Sequence, residues 1–249
     1  MSQAETTAVV FGVGPRQGLG AELCHRAAAR GMHVFVNGRT AEKIEAVAED
    51  IIKAGGSAAP LLADVTDEAA VNQAVAEIEQ DGRALELAIY NAGNNRPEKF
   101  LDVTAEVFED MWKVICLGGF LTSQALVPLM LKQTDSAPRQ SLFFTGASAS
   151  LRGKAGFSAF AAGKGALRMM VQSLAREFGP QGLHVGHVII DGAIDGEKVR
   201  ERFAEYLDSK GEDGGLDIAA IADAFFMMHE QHRSAWTLEL DLRPFKEDF

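Results

Sequence analysis

Three glycines near the start of this chain, Gly14, Gly18 and Gly20, stand in the run GVGPRQGLG. The run joins an apolar stretch, Ala8-Val9-Val10-Phe11, to a helix-forming one, AELCHRAAAR, that Gly31 closes. Bare Cα atoms at that spacing let the backbone turn tightly and let phosphates approach the amides that open a helix. A helix N-terminus carries about half a positive charge and several unpaired N–H donors, which suits a pyrophosphate. Further along, Lys164 lies in FAAGKGALRMMVQSLARE, Ser148 in GASAS, and Asp191 and Asp195 in DGAIDG. A partly buried carboxyl at Asp191 or Asp195 would be raised towards neutral pH and could exchange protons. The plainer alternative for both is a capping or solvated loop carboxylate. His229 and His232 are spaced to share a metal, but no third ligand of fitting type is near in sequence, so no metal site is expected.

The elements that must position these groups follow from periodicity. Strand-like runs recur at 34–37, 58–62, 87–90, 142–145, 185–190 and 238–242. Helical patterns lie between them at 41–54, 68–81, 105–132, 157–178 and 218–231. Such alternation implies right-handed crossovers and an α/β fold: a doubly wound parallel sheet of about seven strands, covered on both faces to make three layers. On these Rossmann sheets ligands bind beyond the strands' carboxyl ends, where the winding reverses. The exits at 14–20, 38–39, 64–65, 91–93, 146–150 and 191–196 are therefore the candidate functional positions. Residues 133–140 (QTDSAPRQ) read as an exposed connection and 208–215 (DSKGEDGG) as a mobile surface loop. No repeat or second domain is visible, so 1–249 is read as one domain.

At 249 residues and 47% hydrophobic, the chain can bury a sizeable core. Its net charge of -11 argues against nucleic acid or an anionic membrane as partner. Cys24 and Cys116 lie in apolar helical segments, as reduced thiols of a cytoplasmic protein would. MSQAETT lacks the basic-then-apolar order of a secretory signal, and no apolar run is expected to reach the roughly 20 residues that span a bilayer.

Taken together, the strand exits resemble the short-chain dehydrogenase/reductase family over nearly the whole chain. The resemblance rests on Gly14-x-x-x-Gly18-x-Gly20, Asp64-Val65, Asn91-Ala92-Gly93 and Lys164, in the family's order and spacing. It implies that Gly14, Gly18, Leu19 and Gly20 cradle the cofactor phosphates, that Asp64 and Val65 contact adenine, and that Asn91, Ala92 and Gly93 line the next exit. It further implies that Lys164 bonds the nicotinamide ribose, that Gly192 and Ile194, in HVGHVIIDGAID, hold the nicotinamide, and that 1–249 is a single dinucleotide-binding domain with a substrate lid near 191–215. An acid about 20 residues beyond the glycine loop would bind a free ribose 2′-OH. The second strand ends instead in Asn37-Gly38-Arg39. Arg39, with Arg16 from the glycine loop, could pair with a 2′-phosphate, because guanidinium binds phosphate as a rigid fork. NADP(H) is therefore expected over NAD(H).

The catalytic pattern departs from the family. Its tyrosine, four residues before the lysine, is Phe160; its serine position falls on Ala147, with Ser148 one residue away; its asparagine position is Ile115; and its Pro-Gly is Asp191-Gly192. A phenyl ring has no proton to give, and losing a general acid costs about 100- to 10,000-fold in rate. Tyr206, in the lid segment, is one alternative donor, whereas Tyr90 should be core. Two functions follow. The first is an NADP(H)-dependent oxidoreductase acting on a carbonyl/alcohol or an activated double bond, with proton delivery by Ser148, a water held by Lys164, or a lid residue. The second is a catalytically inactive NADP(H)-binding sensor or partner protein. Phe157, Phe160, Met169 and Met170 favour a hydrophobic small-molecule substrate, and the resemblance implies a homodimer or homotetramer built on the helices at 105–132 and 157–178.

Overall fold

The computed structural model describes residues 6–93, 95–133 and 139–247, so most of the connection expected at 133–140 lies outside the described residues. The first half runs β1 (Thr6–Phe11), α1 (Leu19–Ala29), β2 (His33–Gly38), α2 (Ala41–Lys53), β3 (Ser57–Leu62), α3 (Glu68–Gln80) and β4 (Ala84–Tyr90). Next, α4 (Ala105–Trp112) passes through a π turn (Lys113–Leu117) into α5 (Gly118–Lys132), followed by β5 (Ser141–Thr145), α6 (Ser158–Phe178) and β6 (His184–Ile190). The last part comprises β7 (Ile194–Asp195), α7 (Glu197–Ser209), β8 (Leu216–Asp217), α8 (Ile218–His229) and β9 (Glu239–Leu242).

Seven strands form one sheet in the order β3-β2-β1-β4-β5-β6-β9, and every pairing is parallel. The apolar runs of β1, β4, β5 and β6 are buried because helices cover both faces. On one face α1, α2 and α8 close a core with Leu23, Ile44, Val47, Ile51 and Phe225. On the other, α3 to α6 close a second with Val75, Ile78, Ile115, Leu126 and Leu167. In α2 the buried Ile44, Val47, Ala48 and Ile51 recur at helical spacing, so one stripe meets the sheet and the rest faces water. Asp67 caps α3 by accepting from the Ala69 and Ala70 amides at 2.9 and 3.1 Å, which starts that helix just past the third strand's exit. The chain returns from β3 to β4 on the other side of β1, so the loops after β1 and β4 part there and leave a crevice.

Two expectations need correction. Within the lid, 197–209 is helix α7, and residues 208–215 turn through Gly211 (φ 71°) and Asp213 (φ 54°) into β8, which pairs with β7. The signal for α7 is present but short: Val199, Phe203, Tyr206 and Leu207 recur at helical spacing in EKVRERFAEYLDS, and only Leu207 is buried. The helix continuous over Ala105–Lys132 also contains an 18-residue window of mean hydropathy 1.9, enough by length and composition to cross a membrane. Its apolarity has a local cause, since 56% of that window is buried inside the fold.

Candidate functional site

The crevice is a cavity of about 740 Å³, walled by Gly12 to Pro15, the β2 and β3 exits, Ala92 and Gly93, the π turn and the first turns of α7. Gly12 makes the first bend at φ 82°, where a Cβ would lie 2.4 Å from the Ala92 Cα. Around a Cβ built on Gly14 nothing lies within 4 Å, so the wall there is open backbone. Gly18 is the N-cap of α1 and brings no side-chain acceptor to the helix's first amides. Gly20 serves packing instead, for its Cβ would come within 3.1 Å of Asn91 Nδ2 and the Val13 Cα, while Leu19 is buried beneath. Of the residues expected at the cofactor, Gly14, Arg39, Asp64, Val65, Ala92 and Gly93 line this cavity. Gly18, Leu19, Gly20 and Asn91 support it from behind.

Asp64 is held in place by Thr66, whose amide and hydroxyl donate to Oδ1 at 2.9 and 2.8 Å, and by Arg39 at 3.4 Å. Burial pushes the Asp64 carboxyl up, but these hydrogen bonds and the Arg39 charge outweigh it and keep the pKa below the usual value. Arg16 does not join Arg39. Its guanidinium pairs with Asp50 of α2 at 2.9 Å and lines no part of the cavity. Gly192 and Ile194 lie outside the lining as well. Gly192, at φ 150°, leaves room for Pro244, and Ile194 pairs with Leu216 in the lid ladder.

Lys164 sits beside the cavity wall. A Cβ on Gly93 would be 3.5 Å from its Nζ, which donates to the Thr145 carbonyl at 2.6 Å. Thr145 in turn donates to Asn91 Oδ1 at 2.9 Å, and Asn91 Nδ2 donates to the Gly12 carbonyl at 3.3 Å. One chain of bonds thus runs from the lysine to the first glycine bend. The surroundings of Lys164 are otherwise apolar. Phe160 presents its ring 5.8 Å from Nζ, and Ile115 fills the space against Gly163, where a Cβ would be 3.1 Å from Cδ1. Ile115 stands in the π turn, whose Val114 carbonyl accepts from the buried Tyr90 hydroxyl at 2.5 Å. Burial lowers the Lys164 pKa to about 8.

Asp191 is a second buried group, and the expectation of a raised pKa there is wrong. The carboxylate accepts from Arg152 Nη2 at 3.0 and 2.9 Å and from the Ser148 hydroxyl. Burial favours the neutral acid, yet those two donors prevail and the pKa lies below the usual carboxylate value. The Ser148 hydroxyl, expected as a proton donor, is engaged by Asp191 in this arrangement. Asp195 pairs with Arg200 on the lid. Tyr206 is half exposed, lies outside the cavity lining and packs under Lys210, 5.3 Å from its ring. His229 bonds Ser141 and Glu86, His232 bonds Ser234, and no metal-binding group occurs among the described residues. Gly12, Thr145, Arg152, Lys198 and Arg202 were not expected at the site. Only Gly12 carried a signal, as the first glycine of its run.

Residues 7–206 match the family model described as short chain dehydrogenase. The chain belongs to that family. It is 31% identical over 184 residues to a short-chain reductase protein of Streptomyces niveus, covering 74% of this chain and 68% of that one. It is 27% identical over 232 residues to a 3-oxoacyl-[acyl-carrier-protein] reductase of Bos taurus, with 92% and 94% covered. Among solved structures, a short-chain dehydrogenase from Rhodopseudomonas palustris superposes with TM-score 0.81 at 34% identity, covering 97% of this chain and 99% of that one. A short chain dehydrogenase from Burkholderia cenocepacia, solved with NADP, gives TM-score 0.83 at 25% identity, with 98% and 99% covered. Phe160 and Ile115 are both packed as apolar side chains against the Lys164 helix turn.

Proposed function

We propose that the chain is an NADP(H)-dependent oxidoreductase for a carbonyl/alcohol pair or an activated double bond, in which Lys164 takes over the proton transfer that a phenol would have made. The observation carrying this reading is the buried ammonium beside the cavity wall, with a pKa of about 8 in place of 10.5. An acid tuned to that range gives up a proton near neutral pH far more readily than an ordinary lysine. The open backbone at Gly14, Gly93 beside Lys164, and Arg39 at the β2 exit suit a phosphorylated dinucleotide, and a relative was solved with NADP.

When bound, the cofactor supplies the hydride. This chain's residues do the rest. Thr145 fixes one N–H of Lys164, leaving two donors for the nicotinamide ribose and for a water. That water passes a proton from Nζ to the substrate oxygen as the carbonyl becomes an alcohol, and solvent reprotonates the amine. Phe160 excludes bulk water and favours an apolar substrate. The buried free thiols Cys24 and Cys116 suit the cytoplasm, and half-exposed Phe108, Phe120 and Met169 on α4, α5 and α6 suit a homo-oligomer.

Oxidation of NADPH by the purified protein against aldehydes, ketones and enones tests the proposal. Turnover should be measurable and should rise about 100-fold or more in Phe160→Tyr, the usual worth of a general acid. The altered asparagine and serine positions favour a second reading, a non-catalytic NADP(H)-binding protein. NADPH binding with no turnover in either form would establish that reading instead.

A further inference from the structure

We infer that the lid helix α7 completes the subsite for the cofactor's ribose phosphate, with Lys198 and Arg202 joining Arg39 and Lys43 in a four-cation cradle for an adenosine 2′-phosphomonoester. The inference rests on the dinucleotide-binding part of the reading above and adds residues, and a role for the lid, to it. All four cations line the one cavity. Arg39 leaves β2, Lys43 stands in the first turn of α2, and Lys198 and Arg202 are four apart on α7, a spacing that sets both on one face of the helix.

The chain carries 11 more acids than bases, yet it gathers these four cations round one cavity. Among the described residues no carboxylate lies within 4.0 Å of Lys43 or Arg202, and the single partner of Arg39 is Asp64 at 3.4 Å. Two acids in the same wall are otherwise directed: Asp64 accepts from Thr66, and Glu197 accepts from the Gln17 amide at 3.3 Å. Among the described residues the other two, Asp110 and Glu201, form no ion pair with Arg39, Lys43 or Arg202. The four cations are close enough to oppose one another: burial, then Arg202, Lys43 and Arg39, hold the Lys198 pKa below the ordinary lysine value. A dianionic phosphate between them reverses the sign of each of those interactions.

The geometry is braced from both sides. The Glu197 amide donates to the Gln17 carbonyl at 2.9 Å, and a Cβ on Gly196 would come within 3.0 Å of that oxygen. The lid helix therefore starts against the glycine loop, while Arg39 and Lys43 start from the sheet. A phosphate gripped by both sets fastens the lid to the sheet at the adenosine end. The nicotinamide end is not needed for that grip.

The test uses the full chain, titrated calorimetrically with 2′,5′-ADP, 3′,5′-ADP, 5′-AMP, NADPH and NADH, against Lys198→Gln, Arg202→Gln and the double variant. Each single variant should lose about tenfold and the double variant about 100-fold in affinity for 2′,5′-ADP and NADPH, as charge-assisted phosphate contacts are worth. NADH and 5′-AMP affinities and thermal unfolding should not change. Bound 2′,5′-ADP should also protect α7 from proteolysis in the wild type and fail to do so in the double variant. Unchanged 2′,5′-ADP affinity in the double variant, or a preference for 3′,5′-ADP, overturns the cradle while leaving dinucleotide binding standing. Failure of the wild type to bind either dinucleotide overturns both readings.

Discussion

Replacing Lys164 with methionine should make this protein more stable at pH 7, although the lysine is the residue on which the proposed chemistry turns. Lys164 is 4% exposed, and burial is the cause of its fall from a pKa of 10.5 to about 8. At 1.36 kcal/mol per pKa unit, holding the ammonium there costs about 3 kcal/mol below pH 8. Methionine is similar in volume and carries no charge. It forgoes the bond to the Thr145 carbonyl, worth about 1 kcal/mol, for a net gain of about 2 kcal/mol. Between pH 8 and 10.5 the unfolded chain keeps a proton that the folded chain has lost, so wild-type stability rises with pH in that window. The advantage of Lys164→Met should therefore be full at pH 7 and mostly gone by pH 10. Urea denaturation of both proteins at those two pH values measures it. A methionine variant less stable than wild type at pH 7, or an advantage that does not change with pH, would refute the claim that desolvation governs this amine.

Arg152→Ala leaves the Asp191 carboxylate buried without its cation and should cost about 3 kcal/mol in urea denaturation, with Asp191→Asn on that background recovering part of the loss. Asp191 has a depressed folded pKa, so its pairing stabilises the fold above the ordinary aspartate pKa and is lost as acid titrates the carboxylate below it. Arg152→Ala should remove that part of the acid sensitivity. Gly12→Ala drives a Cβ to 2.4 Å from the Ala92 Cα at a φ of 82° and should destabilise the fold by more than 2 kcal/mol, by the order of magnitude of strain plus overpacking. Gly14→Ala meets nothing within 4 Å, so its unfolding midpoint should stay near wild type while NADPH affinity falls. Equal unfolding penalties for the two alanines would contradict this division of roles.

The sequence by itself determined the frame of this protein. Its strands and helices alternate with clear apolar periods, and a run of glycines marks the bend between the first strand and the first helix. Both signals are local, which is why element ends such as those of β6 and α6 fall within one residue of their expected positions. Lys164, in the Phe160-Ala161-Ala162-Gly163-Lys164 run, was legible only through the resemblance to the family's lysine position. Tertiary structure alone decided what surrounds these groups. Arg16 went to Asp50 rather than to the cavity, because α2 lies alongside the glycine loop. Asp191 became a buried ion pair, because folding brought it to Arg152, 39 residues away, and to Ser148. The cations of α7 reached Arg39 and Lys43 only through the docking of the lid on Gln17. A side chain's partner, and with it its charge state, depends on which distant backbone folds against it. No local period records that distance.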